Sequence, residues 1–407
     1  MMKTIGIVLS SEPSAGGGFQ YESAMLSALL SLSEETGEFR CILLPDELSK
    51  ISPHISRDTR LSFGGAEVES LNPAAALPSR AHAPPAPRAK FDLFRVPVDA
   101  ALHQHLCRIG VDLLFFLSPS FKGVQSGLPY VMPVWDLMHR HVFPVHYPEV
   151  FDNETPSFRD LLYVNACMSA KSIIAESAAG KEDILRHYGA FIEESKIAVV
   201  DFIPKQAIPK TSTFNFESES IAQVVGRPFF YYPAQFWKHK HHDTLIRALQ
   251  ALDRSQPNNI SLVFSGSTGD YDRQQWHAEL LKQTREAGLA ERVLFLGFLP
   301  EYDVEFLYRH AIATLMPSAF GPSNLPPLEA IAYSCPVAVG DAYGMRQFLP
   351  HGVPVLPCTD PQPWAEFMRR TASDPAYRVS LMEAQRANVT ERTYARFKQQ
   401  IHARLLL

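Results

Sequence analysis

Cysteine is scarce and unpatterned. The five present (Cys41, Cys107, Cys167, Cys335 and Cys358) are odd in number, far apart and never in a C-x-x-C arrangement. Neither a zinc knuckle nor a disulfide framework is supported, and a reducing cytoplasm fits best. No apolar run approaches the ~20 residues needed to span a bilayer. The opening Met1-Met2-Lys3-Thr4-Ile5-Gly6-Ile7-Val8-Leu9-Ser10 has too short an apolar stretch for a signal peptide and no small-residue cleavage pattern. A strong excess of one charge is also missing. The net charge is −5, with 17 basic against 24 acidic residues in 1–204 and 21 against 19 in 205–407. Neither half carries the basic excess of a nucleic-acid binder. No repeat at a solenoid period is present.

What is there is the composition of a soluble globular protein: 46% hydrophobic, 20% charged and 11% aromatic residues in a chain of 407, long enough for two or three domains. Proline, at 32, outnumbers glycine, at 21. Short apolar runs alternate with helix-patterned segments almost from end to end, the pattern of βα units that build parallel sheets. Strands are expected near 5–10, 39–44, 111–117, 130–134, 172–175 and 197–202. A second series is expected near 229–232, 261–265, 293–296, 313–316, 336–339 and 353–356. Between them lie helix candidates such as 20–34, 181–188, 243–253, 274–287, 301–310 and 326–334. The reading is α/β, with two doubly wound, Rossmann-like halves.

The rhythm breaks in 205–227, where Ile-Pro-Lys-Thr-Ser-Thr and Glu-Ser-Glu-Ser mark a linker. The expected division is therefore 1–204, the linker 205–227, 228–385, and a C-terminal helix within 386–407 packing across the domains. Residues 72–90 hold five prolines and almost no large apolar side chains, which predicts a mobile surface loop inside the first domain. Near the end, Tyr394, Phe397, Ile401 and Leu405 recur at spacings of three and four, an apolar face that must be buried.

Three segments carry chemistry. Gly16-Gly17-Gly18 stands between the first strand and a helix, where it serves either as a plain turn or as a cradle whose amides approach an anion. It is not G-x-G-x-x-G, and no acid follows at the distance that grips a ribose. Tyr232-Pro233-Ala234-Gln235-Phe236-Trp237-Lys238-His239-Lys240-His241-His242 puts cations just past a strand's C-terminal end, the edge where open α/β sheets bind ligands. The neighbouring lysines make the three histidines an awkward metal set. Met316-Pro317-Ser318-Ala319-Phe320-Gly321-Pro322-Ser323-Asn324-Leu325-Pro326-Pro327-Leu328-Glu329-Ala330 is a strand end, a loop and a helix start. Proline is tolerated in that first turn. Glu329, about one turn in, is placed to accept two hydroxyl hydrogen bonds, as from a ribose diol, while Lys240 balances phosphate charge.

This last segment resembles the donor-binding signature of the large retaining GT-B glycosyltransferase family (glycosyl transferases group 1) that includes sucrose synthase and the phosphatidylinositol mannosyltransferases, P-S-x-x-E-G-F-G-L-P-x-L-E-A-x-A-x-G-x-P-V. Its form here, Gly-Pro-Ser-Asn-Leu-Pro-Pro-Leu-Glu-Ala, resembles a variant that some branches of the family carry. Other blocks fit in order: the glycine triplet, Ala175-Glu176-Ser177 with Lys181-Glu182-Asp183-Ile184, Pro233-Ala234 through Lys240, Leu262-Val263-Phe264-Ser265-Gly266, Phe295-Leu296-Gly297-Phe298 and Leu307-Tyr308-Arg309.

The resemblance implies GT-B architecture, with two Rossmann-like domains facing a cleft. It implies transfer of a hexose from UDP or GDP to a glycan or glycolipid acceptor with retention, in bacterial surface-glycan assembly. It implies no metal or other cofactor and no nucleic-acid partner. It places the enzyme in the cytoplasm, with peripheral contact at the inner membrane face or with a glycan-assembly complex. Lys240 looks like the diphosphate lysine, and Glu329 like the second glutamate of an E-x7-E pair that holds the ribose. Gly17, Gly18, Ser265, Asn324 and Leu325 join them as donor-binding candidates. Asp136 and His139, in Val134-Trp135-Asp136-Leu137-Met138-His139, resemble the family's H-D-L stretch and are the further catalytic candidates. Three departures stand out: Gly321 replaces the first glutamate, Asn324 replaces a glycine, and Ala234-Gln235-Phe236 occupies the place of an arginine. Asp270-Tyr271-Asp272 mimics a D-x-D metal motif, but is read as a solvated turn. A catalytically silent nucleotide- or glycan-binding module and a nucleotide-sugar epimerase of the same fold are the alternative functions.

Overall fold

The computed structural model describes residues 2–10, 17–45, 66–71, 95–141, 146–148, 156–204, 219–255, 258–269, 271–321, 324–387 and 392–405. Two parallel sheets organise them. The first contains β1 (Lys3–Leu9), β2 (Phe39–Pro45), β3 (Glu67–Val68), β4 (Leu113–Phe116), β5 (Tyr130–Val134), β6 (Ser172–Ala175) and β7 (Ile197–Val199). Its spatial order is β3-β2-β1-β4-β5-β6-β7. The second contains β8 (Phe229–Pro233), β9 (Ser261–Ser265), β10 (Val293–Phe295), β11 (Thr314–Met316), β12 (Val337–Gly340) and β13 (Val355–Leu356), in the order β10-β9-β8-β11-β12-β13. In each sheet the strand order reverses after the first strand, at β1/β4 and at β8/β11. Such a reversal opens a crevice beyond the strands' C-terminal ends.

Burial on both faces explains why these strands read as continuous apolar runs. Ile5, Ile7, Leu113, Phe115 and Val131 join a cluster that continues through the helix Gly17–Thr36 into the second sheet. Their alternates Val8, Leu114, Phe116, Met132 and Val134 belong to a separate cluster on the other face of the first sheet. The strands expected from sequence are all present within a few residues of their expected bounds. β3 was not expected, because two exposed edge residues carry no apolar pattern. The loop expected at 72–90 lies outside the described residues, as does 205–218 of the linker. The described remainder of that linker starts with a short helix, Glu219–Ala222.

Two helices close the described chain, Pro375–Arg386 and then Tyr394–Leu405, the C-terminal helix expected within 386–407. The second buries Phe397, Ile401 and Leu405. Its partner is Gly17–Thr36, to which it is tied by Ser27 Oγ with Tyr394 OH (3.1 Å) and by Lys398 Nζ donating to Ser31 Oγ (3.2 Å). Between the two helices, Arg392 donates to Phe202 O at 2.9 Å and to Phe348 O at 2.7 Å, joining the two halves of the chain. Among the described residues no helix is long and apolar enough to cross a membrane.

Candidate functional site

The reversal at β8/β11 brings two loops together. After β8 the chain makes a tight turn, Lys238–Lys240, closed by His241 in the left-handed region (φ 49°). After β11 it crosses Pro317, Ser318 and Ala319. Ala319 N donates to His239 O at 2.8 Å, and Lys240 Nζ donates to Ser318 Oγ at 3.1 Å. Ser318 Oγ donates onward to Phe320 O at 2.8 Å. Burial pushes the Lys240 ammonium down to about 8, against the opposing pull of Asp136, which follows β5 in the first sheet. The two sheets therefore present opposite charges to one space. Asp136 is itself held by Met138 N (2.9 Å) and by Arg159 Nη1 (3.4 Å).

Glu329 lies in the helix Leu325–Ala332, which has prolines in its first turn. Pro326 and Pro327 carry no N–H, so of the first three helical residues only Leu325 has an amide outside the helix's own bonding. Glu329 is buried, and Tyr308 OH donates to its Oε2 at 2.9 Å. Tyr308 packs edge-on against Tyr231 (5.1 Å), whose hydroxyl pairs with Ser265 Oγ at 2.7 Å. Ser265, a donor-binding candidate, is buried and serves this packing. Gly266 follows it because a Cβ there would come within 2.1 Å of Ala234 O.

Asn324 caps the same helix in position, but its side chain turns elsewhere. Its Nδ2 donates to Gly321 O at 3.2 Å and reaches Met345 Sδ at 3.7 Å. Leu325 is buried at the helix start.

Gly17 and Gly18 begin the helix Gly17–Thr36, and a Cβ on Gly17 would meet nothing within 4 Å. Open space beside a helix N-terminus fits a ligand approach but does not itself require glycine. Just inside that helix, the fully buried Glu22 accepts from Ser10 N (3.3 Å) and Ser10 Oγ (3.2 Å) at the end of β1.

His139 is placed differently from its neighbour Asp136. Its side chain is wholly buried, and Nε2 lies 2.9 Å from Asp160 Oδ1 and 3.1 Å from Tyr188 OH. Burial lowers its pKa. These contacts suit it to holding the Met138–Arg140 turn rather than to meeting a substrate. The other three histidines diverge. His242 sits among Tyr232, Phe236 and Phe264, its pKa pushed by burial to about 3. His241 Nε2 meets Tyr147 OH at 2.6 Å, and His239 is buried. Asp270 lies outside the described residues.

Sequence reasoning missed Tyr308, Ser318 and Glu22 as parts of the site. For Glu22 the signal was an acid two residues before the apolar run that begins at Ala24. For Tyr308 nothing local marks its reach to Glu329.

Residues 214–388 match the family model described as glycosyl transferases group 1. The chain is 25% identical over 228 residues to the O-antigen chain mannosyltransferase RfbU of Salmonella typhimurium, covering 54% of this chain and 56% of that one. It is 24% identical over 310 residues to the human alpha-1,3/1,6-mannosyltransferase ALG2, covering 70% and 72%. The chain spans about half the length of the first curated relatives it matches. Among solved structures it is similar to Anabaena HepE in complex with UDP-glucose, with a TM-score of 0.68, 16% identity and 99% of both chains covered. That likeness shows the fold, GT-B with two Rossmann-like units.

Proposed function

Taking residues 214–388 as belonging to the glycosyl transferases group 1 family, we propose that the chain transfers a hexose from a nucleotide diphosphate donor to a glycan or glycolipid acceptor, with retention of anomeric configuration. The observation that carries this is the joining of Lys240 to Ser318 at the β8/β11 reversal, with Glu329 on the helix that follows. Lys240, the Leu325 amide and the dipole of its helix neutralise the leaving diphosphate in a desolvated crevice, without need of a metal. Glu329, oriented by Tyr308, takes the ribose hydroxyls, which favours UDP or GDP over a deoxyribonucleotide. Asp136, across the cleft, hydrogen-bonds the sugar or the acceptor. Attack comes from the leaving-group face, and the departing diphosphate oxygen takes the acceptor's proton. Gly321 leaves open the place where a carboxylate would touch the sugar, so sugar recognition differs from the family's usual form. The mannosyltransferase relatives make GDP-mannose the first donor to try, with UDP-glucose, bound in the Anabaena structure, the second. Surface-glycan assembly at the cytoplasmic face of a membrane is the setting this reading favours.

Incubation with a panel of nucleotide sugars, with and without glycan or glycolipid acceptors, tests the reading. Acceptor-dependent release of free nucleotide is expected. Binding without turnover would indicate a silent module, and conversion of the donor sugar without acceptor an epimerase.

A further inference from the structure

The helix Ala178–Tyr188 carries Asp183 and His187 four residues apart, which places both side chains on one face. His141, just after the Met138–Arg140 turn, reaches the same point from another part of the chain. His141 Nε2 lies 2.7 Å from Asp183 Oδ2, and His187 Nε2 lies 3.5 Å from Asp183 Oδ1. One ligand-capable atom from each of the three residues lies within 4.8 Å of the other two, and this is the one such group among the described residues.

The plainest account is an aspartate that orients a histidine, but it leaves two features over. Asp183 is 2% exposed, yet its Oδ1 accepts no hydrogen bond. A buried carboxylate oxygen that accepts no hydrogen bond is costly. His187, the second imidazole, faces that same oxygen, and both histidine side chains keep about a fifth of their surface open to solvent. Two imidazoles and a carboxylate are the donor set of a borderline divalent ion. The near-terminal position of His187 on its helix adds favourable dipole for a cation. Opposing it, Arg186 Nη1 stands 4.0 Å from Asp183 Oδ1, and Arg140 acts on His187 from the adjoining turn. Tyr343 also faces the group: its ring is 4.7 Å from that of His141 and its phenol couples to Asp183.

We propose that His141, Asp183 and His187 form a binding site for a divalent transition-metal ion, three protein ligands with the remaining positions left to water. None of the three residues belongs to the Lys240–Ser318–Glu329 set, and the proposal stands independently of the glycosyl-transfer reading. It lies where the two units meet, since the His141 ring also packs against Phe320 (5.5 Å), the residue before Gly321. An ion held there fixes the 138–141 segment to the helix Ala178–Tyr188 and, through Phe320 and Tyr343, to the second unit.

The test is calorimetric titration of the chelator-stripped full chain with Zn²⁺, with Co²⁺ absorption as a spectroscopic readout of coordination. One ion per chain is expected, and His187→Ala and Asp183→Asn should each weaken binding by more than about tenfold. His310→Gln, on an exposed residue elsewhere, should leave it unchanged. His187→Ala removes a partly exposed side chain, so the test survives if Asp183→Asn fails to fold. Absence of stoichiometric binding, or binding that both variants retain at wild-type strength, would overturn the proposal.

Discussion

Gly321 and Asn324 fit one another. The Asn324 amide donates to Gly321 O, and a Cβ on Gly321 would stand 2.1 Å from that amide nitrogen. Gly321 also has φ 138°, a backbone region that side-chain-bearing residues rarely adopt. The two departures from the family's signature are therefore one coupled change: without a side chain at 321, an asparagine fits at 324.

Installing the family's glutamate alone should fail. Gly321→Glu is expected to lower stability by about 1–3 kcal/mol through backbone strain and collision with Asn324. Gly321→Glu with Asn324→Gly should recover part of that loss, giving non-additivity in a double-mutant cycle by urea unfolding. Strict additivity would mean that the two positions are independent.

His242 links stability to acid. Its folded pKa, about 3, lies below the ordinary histidine value of about 6.5, so the native state favours the neutral ring. Its contribution is fully present above the unfolded value and is lost as pH falls from there toward 3. His242→Phe, in a pocket already lined by Tyr232, Phe236 and Phe264, should flatten the acid limb of a plot of melting temperature against pH. An unchanged limb would remove His242 as its source.

Asp136 and His139 should separate in kinetics. Asp136→Asn is expected to reduce turnover by roughly 10²-fold or more with little change in stability. His139→Ala, which strips a partner from Asp160 and Tyr188, should cost about 1–3 kcal/mol of stability. Turnover per folded molecule should move far less. Melting curves and initial rates on the same preparations distinguish the two.

Much of this architecture was legible because parallel strands buried on both faces leave unbroken apolar runs such as Leu113–Phe116 and the Leu262-Val263-Phe264 of β9. Lys240 and Glu329 were legible for a related reason: a turn just past a strand and a proline-led helix start are local signals. Contacts made across loops were not. Nothing in sequence joins Tyr308 to Glu329, and Gly321 with Asn324 read as two departures rather than one contact. The stretch around Asp136 and His139 did not reveal that one side chain faces the cleft charge and the other the interior. Asp183 and His187 did leave a helical-spacing signal, but His141 reaches them only through the fold.

Lys240 should impose an alkaline limit on donor binding. Its ammonium is held down to about 8, against an ordinary value of 10.5. Because the diphosphate binds the charged form, affinity should fall as pH rises above about 8, by up to about tenfold per pH unit. Lys240→Arg, whose charge persists, should remove that limb even where the absolute affinity is lower. A nucleotide diphosphate affinity flat from pH 7 to pH 10 in the wild-type chain would exclude Lys240 as the phosphate contact.

The most direct test is calorimetric titration of the wild-type chain and Glu329→Ala with UDP, GDP and dTDP. The wild type is expected to bind UDP or GDP more tightly than dTDP. Loss of two hydrogen bonds to a carboxylate, about 1.5–3 kcal/mol each, should weaken the preferred ribonucleotide by more than about tenfold in Glu329→Ala and erase its advantage over dTDP. Equal affinity of the two proteins for all three nucleotides, or no nucleotide binding by the wild type, would contradict it.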